Sequence, residues 1–253
     1  MDKGYYTNQI VWIIGASSGI GLSLARELAQ RGATLILSAR SKEGLEALES
    51  TLEKRHKVLP LDVRNADETL SAAQTIRDTF GRIDRVIYLA GAYVPMMMDN
   101  MPLTAVKEIL DTNLMGAFNL VHAILPILKN QGFKSQLALC ASVAGYIGLP
   151  GGQPYSATKA GLINLAESLY SECKNYSDIK LINPGFVRTP LTEKNTFEMP
   201  FIIDASLAAQ KIADGLLTSS FEIHFPQKMS FLLKFVRLLP YMLSLRLTEH
   251  LKK

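Results

Sequence analysis

Apolar and polar positions change their period along the chain. Ile10 to Ile14 is an unbroken apolar run, the mark of a strand buried on both faces, and glycines lead from it into a stretch at helical spacing from Gly19 to Arg31. A second strand, Thr34 to Ser38, precedes a charged helix over Lys42 to Lys54, and a third strand covers Lys57 to Leu61. A polar helix from Asp67 to Phe80 is followed by a buried strand in "RVIYLAGAY", then by a largely helical segment from Leu103 to Leu128. The strand "SQLALCAS", a helix from Pro154, the strand "IKLIN", a helix over Ala205 to Leu217 and the strand "FEIHF" complete the series. Such alternation predicts right-handed crossovers and a parallel sheet covered on both faces, an α/β doubly wound fold.

The chain of 253 residues suits one such domain, and no repeat, low-complexity stretch or linker divides it. Its charge is uneven, however. After residue 227 come six cations, Lys228, Lys234, Arg237, Arg246, Lys252 and Lys253, against Glu249, so the tail carries +5. The body keeps 21 of 27 cations and 22 of 23 acids, a net −1. Residues 1–227 therefore read as the working domain and 228–253 as a basic amphipathic tail. With no basic, aromatic-laced motif in the body, nucleic acid is not an expected partner. Cys140 and Cys173 are too few for a disulfide framework, and Cys140 sits in an apolar run suited to a buried thiol. "MDKGYYTNQIVW" lacks a signal-peptide pattern, which makes a cytoplasmic location the default expectation. The scattered His56, His122, His224 and His250 predict no metal site, and the absence of a GxSxG elbow argues against an esterase.

Chemistry concentrates in two places. In "IIGASSGIGLSLARELAQRG", Gly15, Gly19 and Gly21 lie between the first strand and helix, where glycine admits close backbone approach and a helix N-terminus offers amides to a pyrophosphate. Farther on, Tyr155 and Lys159 stand one helical turn apart behind a loop rich in glycine and proline. A phenol with ordinary pKa near 10 is a poor acid–base group at neutral pH, and a cation one turn away favours the phenolate.

With these motifs in this order the chain resembles the short-chain dehydrogenase/reductase family over Ile10 to Phe225. The resemblance rests on GASSGIG, Asp62-Val63, LAGA at Leu89 to Ala92, Asn113 in "DTNLMGAF", Ser142, YSATK and "NPGFVRTP" at Asn183 to Pro190. It implies a Rossmann-type fold and a nicotinamide cofactor held by Gly15, Ser17, Ser18, Gly19, Ile20, Gly21, Ala90, Gly91, Pro184 and Gly185. Asp62 and Val63 would meet the adenine, and the Val187 backbone and Thr189 the carboxamide or diphosphate. It also implies a catalytic set of Asn113, Ser142, Tyr155 and Lys159. Tyr155 would exchange the proton, Ser142 would donate to the same carbonyl oxygen, Lys159 would also grip the nicotinamide ribose, and Asn113 would hold a water. Ile14 and Leu89 depart from the Thr and Asn usual at those positions.

The end of the second strand, "LILSARS", lacks the acid that holds both ribose hydroxyls of NAD; Ala39 stands there, with Arg40 next. An Arg can bind a 2′-phosphate that a carboxylate would repel, so NADP(H) is the expected cofactor. Tyr93, Val94, Met96 to Met98, Tyr146, Ile147 and Leu149 suggest an apolar pocket for a small hydrophobic carbonyl or alcohol. A binding or regulatory protein on the same fold, without turnover, is the alternative from another class. The resemblance further implies a homodimer or homotetramer paired through Leu103 to Leu128 and Pro154 to Cys173.

The tail has a narrow polar stripe, Ser230, Lys234, Arg237, Tyr241, Ser244, Thr248 and Lys252, amid Phe, Leu, Val and Met. Lys234, Arg237 and Pro240 interrupt any bilayer span. Three roles fit this pattern: a packed helix, a lid over a hydrophobic substrate, or a peripheral membrane contact at an inner membrane face.

Overall fold

The computed structural model describes residues 5–53 and 56–249. Its elements in chain order are β1 (Ile10–Ile14), α1 (Gly19–Gln30), β2 (Thr34–Ser38), α2 (Lys42–Glu49), β3 (Lys57–Val58), α3 (Ala66–Phe80), β4 (Arg85–Tyr88) and α4 (Leu103–Leu110). A π-helical turn (Asp111–Met115) joins α4 to α5 (Gly116–Asn130). There follow β5 (Ser135–Cys140), α6 (Tyr155–Cys173), β6 (Ser177–Pro184), β7 (Val187–Arg188), β8 (Ile203–Asp204), α7 (Ala205–Gly215), β9 (Glu222–Phe225), α8 (Gln227–Leu238) and α9 (Tyr241–Glu249). Among these residues seven strands pair in parallel in the order β3-β2-β1-β4-β5-β6-β9, while β7 and β8 form a separate parallel pair.

Strand alternation explains the two layers. Trp12 and Ile14 of β1 point into one core with Ala73 and Ile76 of α3, Leu120 and Ile124 of α5 and Leu162 and Ala166 of α6. Val11 and Ile13 point the other way, toward Leu24 and Leu28 of α1, Leu45 of α2 and Ile212 of α7. The doubly wound expectation is therefore met. The order reverses between β1 and β4, and ligand crevices open at that switch point beyond the carboxyl ends of the strands.

Element ends differ from the sequence expectation where local chemistry intervenes. β3 pairs over two residues rather than through Leu61: the Leu59 and Leu61 amides still reach the Leu37 and Ala39 carbonyls, but the Leu59 carbonyl accepts from the Ser38 hydroxyl. The fourth strand ends at Tyr88 instead of Tyr93, since Asn113 takes both backbone groups of Ala92. The helix expected over Leu103 to Leu128 contains the π turn. The expected helix end at Lys54 and the last stripe position, Lys252, lie outside the described residues.

The first half of the tail belongs to the core. Leu233 and Val236 of α8 are buried, and Leu233 joins the cluster containing Val143 and Tyr146. Among the described residues no helix is long and apolar enough to cross a membrane.

Candidate active site

The glycine loop is shaped by close contacts that side chains would block. Gly15 has φ +95°, and a Cβ there would lie 2.7 Å from the Ala90 amide nitrogen; a Cβ on Gly21 would strike the Gly15 carbonyl. Helix α1 begins at Gly19 without a side-chain cap from Ser18 and with no acid in its first turn. By contrast, α2 and α3 are capped by Ser41 and Asn65 and carry acids in their first turns. The α1 N-terminus thus keeps amides and dipole available to an anion.

This loop borders a cleft of about 380 Å³. Every residue expected to hold the cofactor lines it: Gly15, Ser17, Ser18, Gly19, Ile20, Gly21, Arg40, Asp62, Val63, Ala90, Gly91, Tyr155, Lys159, Pro184, Gly185, Val187 and Thr189. Ser142 lines it too. A wider opening of about 530 Å³ at the opposite ends of the strands is lined by Asp84, Arg85, Gln136 and Asp178. It lies away from the switch point and the glycine loop, so the smaller cleft is the candidate site.

Within the cleft α6 presents Tyr155 and Lys159 on one face, with the Lys159 Nζ 5.4 Å from the Tyr155 ring centre. Lys159 is 4% exposed and donates to the Cys140 carbonyl at 2.8 Å. The Ser142 hydroxyl accepts from the Ala144 amide at 3.1 Å and donates to the Pro184 carbonyl at 3.2 Å, a rotor able to turn toward a ligand oxygen. Asn113 stands behind the cleft rather than in its lining. Its Oδ1 accepts from the Ala92 amide at 2.6 Å, while Nδ2 donates to the Ala92 carbonyl and to Thr158 Oγ1, each at 3.0 Å. The π turn brings it there, tying the loop after β4 to α6.

The electrostatics correct one expectation. Burial pushes the Tyr155 phenol above its ordinary value of 10.0, only partly offset by the Ser142 hydrogen bond, so it is not drawn down toward neutrality by Lys159. Burial pushes Lys159 below 10.5. At neutral pH the Tyr155 phenol therefore keeps its proton.

At the mouth, Arg40 is 60% exposed and only loosely opposed by Glu108 at 3.8 Å. The Asp62 carboxylate is engaged by Arg64, whose hydrogen bonds hold it below the usual carboxylate range despite some desolvation. Ser38 turns inward, accepting from the Trp12 indole and donating to the Leu59 carbonyl. No acid stands at the end of β2, and the amides and glycines together fit a dinucleotide.

The expected apolar pocket is only partly there. Tyr93 stacks edge-on against Tyr155 with centroids 5.1 Å apart, and its hydroxyl donates to Asn195 at 2.8 Å. Tyr146 and Ile147 instead turn into the core, and the Tyr146 hydroxyl donates to Glu222 of β9. Sequence reasoning missed Thr192, which lines the cleft and donates to the Val187 carbonyl at 2.6 Å, fixing the turn beside Thr189. It missed Phe186 and Phe197 as well, a ring pair 5.7 Å apart beyond that turn. The repeated Thr of "RTPLT" was the available signal for the first.

Comparisons with known proteins agree with this geometry. The family model for short chain dehydrogenase matches residues 9–199. An uncharacterized oxidoreductase of Myxococcus xanthus is 32% identical over 232 residues, covering 90% of this chain and 91% of that protein. The 3-oxoacyl-acyl-carrier-protein reductase of Escherichia coli is 31% identical over 74% of this chain and 77% of its own. A short-chain dehydrogenase of Streptomyces avermitilis superposes with a TM-score of 0.81 at 24% identity, over 95% of each chain. One from Shigella flexneri, solved in complex with NADP, gives 0.76 at 24% identity over 82% of this chain and 92% of its own. The chain belongs to the short-chain dehydrogenase/reductase family and is an oxidoreductase of that family.

Proposed function

We propose that the protein uses NADP(H) to interconvert a hydrophobic carbonyl compound and its alcohol. The carrying observation is the convergence of Ser142, Tyr155 and Lys159 in the cleft that also holds the glycine loop and Arg40. The nicotinamide supplies or accepts the hydride. As negative charge grows on the carbonyl oxygen, Ser142 donates a hydrogen bond to it and Tyr155 gives it the phenolic proton. Lys159, fixed by the Cys140 carbonyl, keeps a positive charge beside the phenol as that proton leaves. Asn113 holds the loop and α6 in register behind them.

The NADP(H) choice is supported by the exposed Arg40 and the missing acid between Thr34 and Lys42. An apolar substrate is supported by Tyr93, whose ring lies edge-on against Tyr155 in the cleft. Because three relatives are a ketoacyl reductase and two 3-oxoacyl-acyl-carrier-protein reductases, 3-oxoacyl thioesters belong among the compounds tried. Exposed Leu110, Met115 and Phe118 along α4, the π turn and α5 support self-association through the long helices. Fluorescence titration with NADPH and NADH tests the cofactor reading. NADPH should bind at least about tenfold more tightly, with the gap closing in Arg40→Ala, because one charge-assisted contact to the 2′-phosphate is lost. Equal binding of both cofactors by the unaltered protein overturns it.

A further inference from the structure

Beyond the buried Leu233 and Val236 of α8, the tail turns most of its large apolar side chains outward. In α8 the small polar Ser230 is fully buried, bonded to His224, and Lys234 pairs with Glu222 against the body. In α9 the residues turned inward are Ser244 and Thr248. The large apolar side chains face out instead: Phe231, Leu232, Phe235 and Leu238 from α8, with Tyr241, Met242, Leu243, Leu245 and Leu247 from α9, between 44% and 83% exposed. Phe231, Phe235 and Leu238 recur at i, i+4 and i+7, so they form one continuous stripe, and Lys228 lies in the same exposed arc. Nine such side chains exceed the patch of roughly 300–600 Å² that a soluble monomer ordinarily leaves exposed.

Charge selects the occupant. The tail carries +5 over a body of −1, and Lys228 and Arg237 stand exposed on α8, so a second copy docked tail to tail would bring like charges together across a two-fold axis. An anionic lipid surface neutralises them while taking up the apolar stripe, and Lys228 beside Phe231 and Leu232 can extend its charge to headgroup level. We propose that α8 and α9 lie flat in an anionic membrane surface, their outward faces among the acyl chains, and that the cleft draws a lipid-like carbonyl substrate from it. The substrate part rests on the hydride-transfer reading above. Position supports it: a Cβ on cleft-lining Gly185 would lie 3.0 Å from Met229 Sδ of α8. Glu222, which holds Lys234, also holds Tyr146 in the loop after Ser142.

Flotation of the full-length chain with vesicles of equal parts phosphatidylcholine and phosphatidylglycerol tests this. The protein should float at low salt, bind less at high salt, and bind phosphatidylcholine alone weakly. The triple variant Phe231→Gln, Leu232→Gln, Phe235→Gln should weaken partitioning by about tenfold or more, and Lys228→Glu by about fivefold or more. Because all four side chains are exposed, the melting temperature should hold, and a melting curve on each variant separates lost binding from lost fold. Full-length protein that stays unbound at low salt overturns the proposal. So does a triple variant that floats as well as the parent, or a full-length dimer that the triple variant turns into monomer without any vesicle binding. NADPH oxidation with soluble ketones, 3-oxoacyl thioesters and long-chain ketones carried in the vesicles, run on the same samples, keeps the two readings apart. Protein that floats but never oxidises NADPH refutes the hydride-transfer reading and leaves the lipid contact standing; protein that turns over but never floats does the reverse.

Discussion

Tyr155 and Lys159 depart from their ordinary values in opposite directions. Burial raises the phenol and lowers the ammonium, so on the alkaline side Lys159 loses its charge before Tyr155 loses its proton. Carbonyl reduction needs both protonated; its kcat/KM should fall as pH rises through the lowered pKa of Lys159. In Lys159→Arg the rate should drop, since a guanidinium fits the site poorly, but the alkaline limb should move to higher pH because arginine keeps its proton there. An unmoved limb in that variant would assign it to another group. Tyr155→Phe keeps the ring against Tyr93 and removes the donor, so kcat should fall by roughly 10²- to 10⁴-fold while NADPH affinity holds; near-normal turnover would remove Tyr155 from the chemistry. At this scale the glycine loop, Arg40, Ser142, Tyr155 and Lys159 were legible because their spacing along the chain carries their geometry. Tyr146 was not, because its partner, Glu222, is 76 residues away and nothing local announces the bond. The direction of the Tyr155 shift escaped for a similar reason: a sequence shows the neighbouring cation but not the burial that outweighs it.

Among elements, the π turn does most to set the site. It gives Asn113 its place against Ala92 and Thr158, and it packs Gly116 against the sheet. A Cβ at Gly116 would lie 2.5 Å from the Tyr88 hydroxyl, which itself donates to the Thr112 carbonyl inside the turn, and 2.7 Å from Val63 Cγ2. Gly116→Ala should therefore destabilise by about 1–3 kcal/mol through overpacking, reduced by up to about 1 kcal/mol of helix propensity. Calorimetry should show a melting temperature lower by about 2–8 °C, with weaker NADPH binding as Val63 is displaced. An unchanged melting point would mean that the turn yields freely. The periodic pattern located the seven paired strands and the main helices, because a doubly covered parallel sheet writes itself as apolar runs. It read α4 to α5 as one helix, since a single wide turn hardly disturbs helical spacing. β7 and β8 escaped altogether: two residues each, joined by Arg188 and Asp204, are too short to hold any period.

Across the whole molecule, the tail divides into a half that holds the body together and a half that does not. α8 sends Leu233 and Val236 inward, and burial of two such side chains is worth about 3–6 kcal/mol against a total of about 5–15 kcal/mol for a domain. It also supplies Lys234 to Glu222, a carboxyl kept below the usual 4.5: burial works against it, but hydrogen bonds from Lys234, Tyr146 and Asn183 prevail. A depressed carboxylate stabilises above its unfolded pKa and loses that contribution as pH falls through its folded value, so the attachment of α8 should weaken only in acid. α9 buries far less: among its described residues all the large apolar side chains are exposed and only Ser244 and Thr248 are buried. Ending the chain after Gln227 should lower the melting temperature by on the order of 10 °C and loosen NADPH binding, because the loop after Ser142 loses Leu233 from its packing. Ending it after Pro240 should cost less than about 1 kcal/mol and leave NADPH binding intact, while removing five of the nine outward apolar side chains. Thermal unfolding and NADPH titration of the two truncated chains decide the matter. If losing α9 alone destabilises as much as losing both helices, α9 is a packing element and its apolar face is covered within the protein's own assembly.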